Sequence, residues 1–314
     1  MKVLVAGTGG VGGYFGGLLA RAGHDVAFLA RGAHLEAIRR DGLKVRSVHG
    51  DFEIRPAASD LPEDLPEPEC VLVAVKHYDL QATARQLQTV VYKGTTVVPL
   101  MNGVDAHEVL EAALDGGRIV GGTCSVASRI ESPGVIRQES RMQRVIVGAP
   151  DGRPDEVLAA LVAAWCGCGV DANQTDDIIA ALWSKFIFIA SFGGVTALAR
   201  STAGEVRASP TTRALLLEAM HEVERVGRAV GARLPQDAVE QAMAIVEALE
   251  PGVTSSLQRD VADGRRFELE AFSGTIVRLA CEHAIDVPVH AAIYGLLTPM
   301  LTRVERHAGR ARLE

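Results

Sequence analysis

Cysteine is scarce in this chain and shows no pairing pattern. The five present (Cys70, Cys124, Cys166, Cys168 and Cys281) are odd in number and include no C-x-x-C pair. Neither a disulfide scaffold nor a structural zinc site is expected, and free thiols suit a reducing compartment. The nine histidines show no H-E-x-x-H or comparable ligand spacing, so no metal is predicted. Excess positive charge is missing too: 32 Lys and Arg against 39 Asp and Glu give a net charge of −7, spread over both halves. That balance argues against a surface tracking nucleic-acid phosphates. No secretory h-region follows Met1-Lys2, because the apolar stretch breaks into glycines after Ala6. Internal repeats and low-complexity tracts are absent.

One apolar run, Ile178 to Leu198, is long enough to resemble a membrane span. It carries Ser184 and Lys185 near its middle and Gly193-Gly194 later, with no flanking aromatic or basic belt. A charge at mid-membrane is expensive. The run is therefore read as a helix buried on all sides in a soluble protein, with no membrane partner and a cytoplasmic location expected.

What is present is an ordinary globular composition, 48% apolar and 23% charged over 314 residues, enough for two domains with separate cores. Strand-like runs at 2–6, 26–30, 70–75, 95–100 and 118–123 alternate with helical segments at 13–22, 35–40, 80–89 and 105–114. Two short alternating runs, 43–48 and 52–55, interrupt the series. The stretch 61–69, with three prolines and four acids, reads as an exposed connection. Regular strand–helix alternation predicts an α/β fold, a doubly wound parallel Rossmann sheet. Ser132-Pro133-Gly134 suggests a hairpin whose partner returns as a strand at 145–148. From about Asp176 the chain reads as almost entirely helical, with breaks at 231–235, 251–252 and 286–288. The expected division is a nucleotide-binding domain over 1–175 and a helical domain over 176–314.

Gly7-Thr8-Gly9-Gly10-Val11-Gly12 is G-x-G-x-x-G, directly after a predicted strand and directly before a predicted helix. Glycines there allow a tight turn, close approach to a pyrophosphate and close helix–strand packing, with the helix N-terminus facing the anion. The second strand ends in Arg31-Gly32, where an NAD site usually places a carboxylate for the ribose 2′-hydroxyl. A guanidinium there can fork two donors onto a 2′-phosphate, so NADPH is favoured over NADH. Lys185 is the most unusual ionisable residue, a lysine inside an apolar helix. Burial would depress its pKa toward the working pH and suit it to act as a general acid, whereas snorkelling to the surface would make it inert. Glu268 and Glu270, in Arg266-Phe-Glu-Leu-Glu-Ala-Phe272, are candidate carboxylate partners that periodicity cannot separate. Lys76 and Asn102-Gly103 follow strands at the sheet end where open α/β sheets bind ligands, although Asn-Gly is also an ordinary turn.

Together these motifs resemble the ketopantoate reductase (2-dehydropantoate 2-reductase) family along nearly the whole chain. Gly7 to Gly12 is similar to its NADPH loop, and Arg31 with His34 to the segment that receives the 2′-phosphate. Val75-Lys76-His-Tyr-Asp-Leu80 resembles its second cofactor segment and Met101-Asn102-Gly103 its turn at the nicotinamide and substrate. Gly122 to Ser128 is similar to a further cofactor-lining loop. Leu182-Trp183-x-Lys185 matches its catalytic lysine motif. Ser255-Ser256-Leu-Gln-x-Asp260, followed by Glu268, resembles its substrate serine, Ser256, and its catalytic-site glutamate. The resemblance thus selects Glu268 over Glu270, and has Asn102, Lys185 and Ser256 hold the substrate. It implies NADPH-dependent reduction of a 2-keto acid in pantothenate biosynthesis, and a helical domain of the 6-phosphogluconate dehydrogenase type. Helical domains of this kind often self-associate, which leaves a homodimer as the assembly to test. The chain departs from the family at Ile189, Gly193 and Ala203, where asparagines hold the substrate. Exposed backbone amides near Gly193-Gly194 are the substitutes the sequence offers. Two other readings are a reductase of a more apolar keto compound and a non-catalytic NADPH-binding sensor; a sensor would need neither Lys185 nor Glu268.

Overall fold

The structure, a computed structural model, describes residues 1–310; the last residues of the expected helical domain, 311–314, lie outside them. The chain forms two compact units, one made of Met1–Met101 with Asp105–Ile178, the other of Asn102–Val104 with the residues from Ile179 onward. A single cut near Thr175 misses the short Asn102–Val104 turn, which groups with the helical unit.

Strands of the first unit are β1 (Lys2–Ala6), β2 (Asp25–Leu29), β3 (Leu43–Ser47), β4 (Phe52–Ile54), β5 (Ala58–Ser59), β6 (Cys70–Val73), β7 (Thr96–Pro99), β8 (Arg118–Ile119), β9 (Gly121–Ser132), β10 (Val135–Gly148) and β11 (Asp171–Gln174). Its helices are α1 (Gly10–Arg21), α2 (Gly32–Asp41), α3 (His77–Leu87), α4 (Ala106–Ala113) and α5 (Glu156–Gly167). Six strands form a parallel sheet in the order β5-β2-β1-β6-β7-β8. Its central strands are apolar on both faces: Val3 to Ala6 and Cys70 to Val73 are all buried. Parallel strands covered by helices on both sides require this composition. The β1 strand ends in the glycine loop, and α1 starts at Gly10, earlier than its apolar periodicity suggests.

A second sheet, β11-β10-β3-β4 with β9 beside β10, contains the predicted hairpin and the two short alternating runs. The turn at Pro133-Gly134 places Gly134 at φ +76°, a left-handed conformation that glycine adopts without strain. The run read as one strand over 118–123 is broken. Its first part, β8, pairs with β7, and from Gly121 onward β9 pairs with β10. The chain thus passes from one sheet to the other across Val120. Under the sheets, Trp165 of α5 donates its indole N–H to the Phe15 carbonyl at 3.2 Å.

The second unit is built from α6 (Ile178–Ala199), α7 (Ala203–Ala208), α8 (Pro210–Ala229), α9 (Ala238–Ala248), α10 (Ser256–Ala262), α11 (Thr275–Glu282) and α12 (Pro288–Arg310), with a π-helical turn at Glu270–Gly274 leading into α11. Glu222 of α8 is fully buried and accepts the backbone N–H groups of Val289 (2.7 Å) and His290 (2.8 Å). A carboxylate there satisfies the orphan donors at the start of α12 and complements its dipole. Among the described residues α6 is the one helix long and apolar enough to cross a membrane by length and composition, and most of it is buried. It is not buried on all sides, as the sequence suggests. Ala181, Ser184, Lys185, Phe188 and Ile189 form a half-exposed stripe at helical spacing. The uniformly apolar sequence hides that stripe, and it is the face carrying the lysine.

Candidate active site

The glycine loop of the first unit is held tightly on one side and open on the other. A Cβ at Gly12 would lie 2.1 Å from the Gly7 carbonyl oxygen, and one at Gly10 2.4 Å from the Ser128 carbonyl oxygen. Only glycine permits these approaches. Around Gly9, in contrast, there is open space within 4 Å of where a Cβ would project. Intrahelical bonding of α1 begins with the Gly13 N–H to the Gly9 carbonyl at 2.8 Å, and no side chain caps the helix. The preceding amides of Gly10, Val11 and Gly12 therefore have no helical partner, the arrangement that binds an anion at a helix N-terminus. The Ser128 hydroxyl, beside this loop, is buried without a hydrogen-bond partner.

Two residues of the expected cofactor set also make structural bonds. The Thr8 hydroxyl donates to the Leu29 carbonyl at 3.0 Å and is buried, so it ties the loop to the end of β2. His34 Nδ1 accepts the Gly134 N–H at 3.0 Å, and burial lowers its pKa. It thus links α2 to the β9–β10 turn through Nδ1, while its Nε2 is buried with no hydrogen-bond partner. Val11 is half-buried against the core and offers only its backbone. Arg31 caps the start of α2, and its guanidinium lies 2.8 Å from the Asp79 carboxylate in the first turn of α3. Lys76 is the residue immediately before α3. His77 pairs with Asp105 at 2.9 Å, joining the starts of α3 and α4.

In the second unit Lys185 and Asn102 come together: the lysine Nζ donates to the Asn102 Oδ1 at 3.0 Å. Gly103 holds the turn after Asn102 at φ +104°. Glu268 is only 6% exposed, whereas Glu270 lies at the surface and accepts from the Tyr294 hydroxyl at 2.9 Å. Ser255 caps α10 through the Gln258 N–H and also meets the Thr196 hydroxyl at 2.9 Å, which leaves half-buried Ser256 as the first helical residue. Of the three departures, Ile189 lies on the half-exposed stripe, Gly193 is buried, and Ala203 is buried with its N–H bonded to the Val253 carbonyl at 2.9 Å. The amides of Gly193 and Gly194 are not exposed donors: both residues lie buried inside α6, where each N–H belongs to the helix. Asp79 was absent from the sequence-derived set. Its segment is legible, but an ion pair across 48 positions leaves no local pattern. Among the described residues no group of three or more His, Cys, Asp or Glu is arranged to hold a metal.

A parallel sheet whose first strand ends in an uncapped glycine loop defines a dinucleotide-binding protein, here with a helical second unit. Two family models match it, ketopantoate reductase PanE/ApbA over residues 3–152 and ketopantoate reductase PanE/ApbA C terminal over 177–300. The chain belongs to the ketopantoate reductase family of oxidoreductases. It is 31% identical over 299 residues to the 2-dehydropantoate 2-reductase of Halobacterium salinarum, covering 95% of this chain and 98% of that one. Its fold is similar to the crystal structure of a PanE/ApbA family ketopantoate reductase from Ralstonia eutropha, with TM-score 0.89, 30% identity, and coverage of 97% of this chain and 100% of the other. D-mandelate dehydrogenase in its ternary structure with NADH and anilino(oxo)acetate has the same fold at TM-score 0.89 and 18% identity, over 97% of this chain and all of that one.

Proposed function

We propose that this chain is an NADPH-dependent reductase of small 2-keto acids, with 2-dehydropantoate as the first substrate to try and pantoate as its product, in pantothenate biosynthesis. The observation that carries the reading is the Lys185–Asn102 hydrogen bond on the half-exposed stripe of α6. A lysine serving only the core has no need of an amide acceptor on a partly exposed face. The first unit's residues fit the cofactor. The free amides of Gly10, Val11 and Gly12 suit the pyrophosphate, the open space at Gly9 allows close approach, and Ser128 offers a buried, unpartnered hydroxyl. Arg31 and Lys76 supply cations for the 2′-phosphate.

When bound, NADPH supplies the hydride. Lys185 holds a proton on Nζ and delivers it to the keto oxygen as that oxygen becomes a hydroxyl. Asn102 Oδ1 takes one Nζ–H and so fixes the direction of the ammonium. Ser256 gives a hydroxyl to the substrate, and Glu268 is the buried carboxylate of the set. The balance is one keto acid, one NADPH and one proton to one 2-hydroxy acid and one NADP⁺. Buried Gly193 and Ala203 favour a variant of this reading, a keto acid more apolar than 2-dehydropantoate. The test is loss of NADPH absorbance on mixing the protein with a panel of 2-keto acids. Absence of turnover across the panel, with NADPH still bound, would leave a cofactor-binding sensor instead.

A further inference from the structure

We propose that Asp79 is a specificity-determining residue that holds the preference for NADPH over NADH well below what Arg31 alone would give. The inference rests on the reductase reading above. Arg31 stands where the 2′-phosphate would be received, yet its guanidinium is already matched by the Asp79 carboxylate at 2.8 Å. The arginine side chain is 82% exposed and that of Asp79 29%. The carboxylate is therefore the more firmly seated partner, and the arginine lies over it. The Asp79 backbone is fixed by its N–H to the Lys76 carbonyl at 2.8 Å, in the first turn of α3.

The charges at this corner follow directly. His34 Nδ1 is taken by the Gly134 N–H, and the Arg31 guanidinium is offset by the Asp79 carboxylate. A 2′-phosphate, bearing close to two negative charges, must take the Arg31 donors while a carboxylate stays within reach of the same guanidinium. The ribose 2′-hydroxyl of NADH meets the opposite situation. NAD-selective Rossmann sites accept that hydroxyl on a carboxylate at the end of the second strand. Here a carboxylate reaches the same corner from the first turn of α3. One residue thus lowers the affinity for one cofactor and supplies an acceptor for the other.

The experiment measures Kd for NADPH and NADH with the wild-type chain, Asp79→Asn, Asp79→Glu, and Asp79→Asn combined with Arg31→Ala, at low and high KCl. Asp79→Asn should raise the NADPH-to-NADH preference about tenfold at low salt, the size expected when one like charge leaves a partly exposed phosphate site. The gain should shrink at high KCl, where screening shortens the reach of the charge. Asp79→Glu should keep the wild-type ratio, and Arg31→Ala should abolish the gain. An unchanged ratio, or a change that ignores salt, with both cofactors still bound, overturns this inference and leaves the reductase reading standing. Failure of the wild-type chain to bind either cofactor overturns both.

Discussion

The ammonium of Lys185 is anchored to the side-chain oxygen of Asn102, 83 positions earlier in the chain. Both belong to the helical unit, although Asn102 directly follows the β7 region in sequence. An amide oxygen orients a lysine ammonium without itself carrying a negative charge.

Replacing Lys185 with alanine should lower turnover by about 10²–10⁴-fold, the usual contribution of a positioned acid. NADPH affinity should be little changed, because the glycine loop proposed to hold the cofactor belongs to the other unit. Asn102→Ala should lower turnover less, and the double variant should resemble Lys185→Ala alone, because the amide acts through the lysine. Additive losses would show that the two residues act independently.

Gly9→Ala and Gly10→Ala should separate binding from stability. The Gly10 methyl would collide with the Ser128 backbone, and overpacking of this kind costs about 1–3 kcal/mol. The Gly9 methyl enters open space, so that variant should melt close to the wild type yet bind dinucleotide weakly. Calorimetric melting and cofactor titration of both variants decide it.

Arg31→Ala should weaken NADPH binding by about 1–2 kcal/mol, the low end for a hydrogen bond to a charged group. The low end applies because the arginine is largely solvated and already paired. NADH binding should barely move, and equal losses for both cofactors would make Arg31 a structural residue.

Acid should destabilise the helical unit through His290. Its Nε2–H donates to the Ala219 carbonyl at 3.2 Å and its Nδ1 accepts from Ser273 at 3.1 Å, and burial lowers its pKa to about 4. In the unfolded chain the ordinary value is about 6.5, so unfolded molecules bind the proton first. Stability is then complete above pH ~6.5 and is lost as pH falls toward 4, by up to roughly 3 kcal/mol. Buried Glu222 works oppositely: desolvation raises its pKa, so its share is present at low pH and lost as pH rises through that raised value. Comparing wild type with His290→Gln isolates the histidine. The melting temperature of the wild type should fall more steeply between pH 6.5 and 4, and parallel curves would refute the assignment.

Substrate preference follows from the departures in α6 and α7. With Gly193 and Ala203 buried and the Gly193-Gly194 amides inside the helix, donors for a substrate hydroxyl are missing from these positions. A site with no group to pair with a hydroxyl discriminates weakly against analogues lacking it. We expect 2-ketoisovalerate to be reduced about as well as 2-dehydropantoate. A preference of about a thousandfold for 2-dehydropantoate in kcat/KM, the scale of a site built to bond a hydroxyl, would refute this.

The parallel sheet and the glycine loop were legible because local signals agree: an apolar strand, glycines at fixed spacing, then a helix. Boundaries were less so. Helix α3 starts at His77, not near Leu80, because the extended backbone of Lys76 sets the start and His77-Tyr78-Asp79 carries no apolar periodicity. The passage between sheets at Val120 is invisible in a run that reads as one strand. The open stripe of α6 could not be seen where every position is apolar or small except Ser184 and Lys185. The tertiary bonds of the Thr8 hydroxyl to Leu29 and of His34 Nδ1 to Gly134 leave no trace in the sequence, because each joins positions far apart in the chain.

The close approach of Gly10 to Ser128 makes the nucleotide loop a joint product of two sheets. Its wall is the backbone of β9, which reaches it only because the chain leaves the parallel sheet at Val120. The loop is therefore not a portable module. Grafted with β1 and α1 alone onto another α/β scaffold, it would keep its glycines and lose the surface they were fitted to. Exchange between such proteins has to carry the hairpin along, and the sequence near Ser128 is as much part of the loop as Gly7 to Gly12.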